Sequence, residues 1–163
     1  MIARVRGQQG FALIEMLIAI VVINIGLLAI LLALNSGMVT LRRSAESSTA
    51  SAIADQQIER YRARTFAAIY LDTTSLGATD STYQSDIAYS ASQVNQTCSP
   101  LIPACTPSQT VTGPDGRSWR VDTYIVWTTP AGGTAVKQVT VVVRKPGSPT
   151  ALARVISTAG TDF

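Results

Sequence analysis

The sequence predicts an α+β protein in which a long N-terminal helix packs on a C-terminal antiparallel β-sheet. Three observations carry this. Apolar residues are concentrated between Phe11 and Leu34. From Asn35 to about Ile69 a helical rhythm continues, with Gly37 as the only glycine and no proline. The last third alternates apolar and polar residues between turn signals, the period of strands that bury one face.

The first element reads FALIEMLIAIVVINIGLLAILLAL, with Glu15 and Asn24 its only polar interruptions. As a helix it is about 36 Å long, enough for a hydrocarbon core of roughly 30 Å. The preceding MIARVRGQQG carries Arg4 and Arg6 and no acidic residue. The positive-inside rule therefore predicts a cytoplasmic N-terminus, with everything after Leu34 on the far side. A secretory signal peptide has a shorter apolar region, about 7–15 residues. A plain anchor explains the length and the flanking charge but not Glu15. A carboxylate within a span costs about 2.5–3.5 kcal/mol on insertion scales and so calls for a partner.

Gly10-Phe11-Ala12-Leu13-Ile14-Glu15, after a short basic leader and before a long apolar run, resembles the type IV prepilin signature. In that family a membrane-embedded prepilin peptidase cuts after the glycine and methylates the new terminal amine. The resemblance implies cleavage after Gly10, methylation of Phe11, and Glu15 as the fifth residue of the mature chain. Glu15 would then pair with the Phe11 amine of its own or a neighbouring subunit during assembly. Ala12 departs slightly from the pattern, where Thr or Ser is more usual.

The resemblance divides the chain into a leader (1–10), a transmembrane and assembly helix (11–34), an amphipathic half of the stem (35–69) and a globular β domain (70–163). It implies a pilin-like fold, a single-pass location in the cytoplasmic (inner) membrane, and later a periplasmic or extracellular filament. The implied partners are prepilin peptidase, inner-membrane lipid before assembly, and other pilin subunits through the N-terminal helix. Asn24-Ile25-Gly26-Leu27-Leu28-Ala29 is similar to a stretch in the V-type minor pilins, the type IV pilus modification proteins. The stem also lacks the midway proline of many major pilins. Both point to a minor pilin. A pseudopilin of a type II secretion system remains open. So does a membrane-anchored binding module or adhesin using the Thr-rich loops at Leu71–Ser92.

Met38, Leu41, Ala45, Ala52, Ile58, Phe66 and Ile69 are the candidate packing face of the stem, with Arg42, Arg43, Glu46, Asp55, Glu59, Arg60, Arg62 and Arg64 on polar faces. Gly26 and Gly37 read first as points of close helix approach, and second as points where the stem can bend or melt on assembly. Leu71–Ser92 is loop chemistry, with a short strand expected at Ile87–Ala91. Cys98 and Cys105 enclose a six-residue loop with two prolines, and an oxidising compartment outside the membrane favours a disulfide between them. Strands follow at Ser118–Thr128, Val136–Arg144 and Ala151–Ser157, with a shorter hairpin partner near Thr110–Thr112. Trp119, Val121, Ile125 and Trp127 share a parity and read as core.

The chain has no histidine, which removes the commonest general base and metal ligand. No catalytic residue, metal or cofactor is expected. The net charge of +3, without a basic run interleaved with aromatics, gives no reason to expect nucleic acid as a partner.

Overall fold

The computed structural model describes residues 9–76 and 80–160, of which residues 9–12 are described as backbone only. The chain divides into two compact units, Met1–Ser44 and Ala45–Phe163. Helix α1, Gln9–Arg62, supplies all the described secondary structure of the first and the opening element of the second.

In the first unit the large apolar side chains from Leu13 to Leu34 are between 54% and 72% exposed. The 18-residue window of highest mean hydropathy, 3.1, buries none of its residues. Such a surface far exceeds what a soluble monomer leaves uncovered.

In the second unit α1 lies on a four-stranded antiparallel meander, giving the α+β, pilin-like class expected. The strands are β1 (Ser108–Thr112), β2 (Ser118–Thr128), β3 (Val136–Arg144) and β4 (Ala151–Ala159), hydrogen-bonded in that order. The outer two are longer than expected, β1 beginning at Ser108 and β4 running on to Ala159. Gly116 and Gly147, with φ of 71° and 76°, turn the chain before β2 and β4 in the left-handed region that side chains disfavour. The register sets Val121 opposite Val143, and Ile125 opposite Val139. These four side chains and Trp119 form the core with the helix.

The buried stripe of α1 is Ala50, Ile53, Ala54, Gln57, Ile58 and Tyr61, at helical spacings of three and four. Of the helix positions expected to pack, only Ile58 belongs to it; Met38, Leu41, Ala45 and Ala52 are exposed. Packing follows close approach rather than side-chain size: Ala50 and Ala54, both fully buried, let the helix backbone near the sheet.

The helix ends at Arg62, short of the expected Ile69. A tertiary contact explains this. Lys137 of β3 is nearly buried, and its Nζ donates to the Phe66 and Ile69 carbonyls, both at 2.8 Å. Capturing those oxygens draws residues 66–68 into a 3₁₀ turn. Trp127 sits beside this turn, edge-on to Phe66 at 5.8 Å, and is 52% exposed. Its expected core position is corrected: the helix that would have covered it stops too early.

The sheet is also covered on its other face, which strand alternation did not predict. Tyr83 stacks on Tyr124 at 4.4 Å and packs on Val142, with Leu76 and Ala88 around them. Ile87–Ala91 forms no strand; it is turn and irregular backbone, with Ile87 89% exposed. The segment crosses the sheet face instead of joining an edge, and a cluster of ion pairs holds it there.

Candidate functional site

The residues singled out from sequence lie along the start of α1. Gly10 and Phe11 belong to the helix backbone; the Phe11 side chain and leader residues 1–8 lie outside the described residues. Glu15 is exposed on the helix four residues beyond Phe11, a rise of about 6 Å. Among the described residues no cation pairs with it.

Two other polar side chains on this helix, Asn24 and Thr40, behave differently. The Asn24 amide donates to the Ile20 carbonyl at 2.8 Å, and the Thr40 hydroxyl to the Ser36 carbonyl at 3.0 Å. Each places one donor on a carbonyl of its own helix, which lowers the cost of surrounding it with lipid. An ionised carboxylate has no such option, because it only accepts hydrogen bonds and the helical carbonyls cannot donate. Glu15 therefore needs a donor or cation from elsewhere. A Cβ added at Gly26 or Gly37 would meet nothing within 4 Å, so neither glycine is required by packing inside this chain.

Cys98 and Cys105 are disulfide-bonded, with Cα atoms 6.3 Å apart. The bridge serves a hub at Asp72, which the sequence did not reveal. The Cys98 N–H donates to the Asp72 carboxylate at 2.9 Å, and the Asp72 N–H donates to the Cys105 carbonyl at 2.7 Å. The same carboxylate accepts from the Thr74 hydroxyl and N–H. These bonds, that of the Thr74 hydroxyl foremost, hold the Asp72 carboxyl below its usual range.

A second constellation binds residues 80–88 to the sheet. Asp122, Asp80 and Asp86 meet Arg120, Arg144 and Arg154, three carboxylates against three guanidiniums. Arg144 is 1% exposed and bridges Asp86 and Asp122; Arg120 joins Asp122 at 2.8 Å to Asp80 at 2.6 Å. Burial opposes ionisation of Asp86, but the Arg154 hydrogen bond and the Ala88 N–H outweigh it and lower its pKa. Asp80 is likewise lowered: the Tyr83 N–H and Arg120 overcome its burial. Every carboxylate here is matched by a guanidinium, so the cluster is built as a clamp.

Residues 5–31 match a family model described as the prokaryotic N-terminal methylation motif. This fits a type IV pilin-like or pseudopilin precursor, and the apolar helix fits the single membrane anchor typical of such precursors. No curated protein and no solved structure matches the chain.

Proposed function

We propose that the chain is a minor pilin, a structural subunit of a type IV pilus-like filament or of the complex that initiates one. The observation that carries this is the long apolar stretch of α1, exposed from Leu13 to Leu34, whose Glu15 carboxylate has no partner among the described residues and lies within a match to the N-terminal methylation motif. Prepilin peptidase cuts after Gly10 and methylates the Phe11 amine. Before assembly, lipid of the inner membrane covers the apolar face. In the filament, stems of other subunits replace the lipid on the far side of the cytoplasmic membrane.

Glu15 supplies register. A subunit entering a helical bundle can satisfy Glu15 with the amine of a neighbour only at one stagger. Desolvation offsets much of the pair's attraction, so its value lies in specificity rather than net affinity. The function is assembly without catalytic turnover.

Intact mass and N-terminal sequencing of the protein from cells, with and without prepilin peptidase, test the processing step. A mature form starting anywhere other than Phe11 would overturn it. Glu15→Ala is expected to insert and be cleaved normally but to be depleted from sheared filaments. Recovery of the variant at the wild-type level would remove the register role.

A further inference from the structure

We propose that a polar pocket on the β domain binds one ring of a neutral saccharide. The pocket, 250 Å³ in volume, lies between the 3₁₀ turn Thr73–Ser75 and residues 89–95. That is just below the ~300–1,000 Å³ of small-molecule sites, which suits a single sugar ring better than a chain. None of the described lining residues is charged, so an ionic ligand would find no counter-charge among them.

Backbone placement makes this a built site. Leu71 bridges to Asn95, and Gln93 bridges to Val126 of β2. The segment between Gln93 and Asn95 is thereby tied to β2 at one end and to Leu71 at the other. Two residues apart on extended backbone, the two amides share one side, and both line the pocket.

Each amide is anchored at one end only. The Thr73 N–H donates to Asn95 Oδ1 at 3.0 Å, which leaves the Asn95 NH₂ group uncommitted among the described residues. The Tyr83 hydroxyl links the Thr123 carbonyl, at 2.6 Å, to the Gln93 amide, at 2.9 Å. The other end of Gln93 is likewise uncommitted among the described residues. Tyr89, 38% exposed, is held edge-on to Tyr83 at 6.0 Å and adds an aromatic surface to the wall. Pre-oriented amides beside an aromatic ring complement a sugar, whose hydroxyls both donate and accept while its C–H face packs on the ring.

The reading is independent of filament assembly, because it uses no residue of the N-terminal helix. The test uses the full chain in a detergent without a sugar headgroup. Methyl glycosides of glucose, galactose and N-acetylglucosamine are titrated to about 20 mM, the weak range suited to one small pocket. Saturation-transfer NMR is expected to detect at least one of them, with Tyr89→Ala weakening it at least tenfold. Asn95→Asp keeps the acceptor for Thr73 but replaces the free donor by an ionised oxygen; it is expected to weaken binding about fivefold. If Tyr89→Ala fails to fold, Asn95→Asp decides. No transfer from any of the three sugars, or wild-type binding by Asn95→Asp, would overturn the proposal.

Discussion

Replacing Arg144 by alanine removes the guanidinium that joins Asp86 to Asp122 beneath the segment that crosses the sheet. Three carboxylates would then face two guanidiniums at a site where Arg144 is 1% and Asp122 0% exposed. Breaking a buried pair by deleting one partner costs about 3–5 kcal/mol. The lower end applies here, because Asp122 keeps Arg120 and Asp86 keeps Arg154. A loss of about 3 kcal/mol is a large share of the ~5–15 kcal/mol that holds a domain together. It corresponds to a fall of roughly 10–20 °C in melting temperature for a domain of this size. The assay is thermal unfolding of the full chain in detergent, followed by the fluorescence of buried Trp119. In an Asp86→Asn background the same substitution should cost less, with a coupling of about 1–3 kcal/mol. A single variant melting within about 3 °C of wild type, or strict additivity in the double variant, would refute the clamp.

Acid should loosen the same domain. Asp72, Asp80 and Asp86 are held below their ordinary values, so the folded state binds protons less readily than the unfolded chain. Their stabilisation is complete above the unfolded carboxylate value of about 3.9 and is lost as pH falls through the depressed folded values. Melting temperature is therefore expected to stay level from about pH 7 to 5 and to drop below about pH 4; a flat profile down to pH 2 would contradict the assignment. Replacing both Cys98 and Cys105 by serine opens a short loop, and chain entropy sets the cost at about 2–2.5 kcal/mol. Urea unfolding measures it, and hydrogen exchange at Thr74 should accelerate as the Asp72 hub slackens.

Elements with a strong local pattern were legible from sequence. β2 and β3 occupy the predicted residues because their alternation matches a sheet and glycine-bearing turns bound them. The two cysteines, a short proline-bearing loop apart, pair as expected. The packing stripe of α1 was not legible. Alanine is a weak hydrophobic signal, and Ala50 and Ala54 pack because of their small size. Asp80, Asp86 and Asp122 gave no signal of a shared site. They come from a loop and a strand, and each looks like an ordinary solvated carboxylate until the fold joins it to an arginine. The pocket amides Gln93 and Asn95 were silent for the same reason.

The start of α1 shows the division most clearly. The sequence by itself determined that Phe11–Leu34 is a helix long enough to span a membrane, that Glu15 lies one turn beyond Phe11, and that the motif resembles a prepilin. Those properties depend on composition and spacing along one chain. Tertiary structure alone decided that the helix stops at Arg62, because a buried lysine from β3 takes the carbonyls of the segment beyond it. It alone decided that both sheet faces are covered, because the outer cover is held by charges distant in sequence that meet only when the chain has folded.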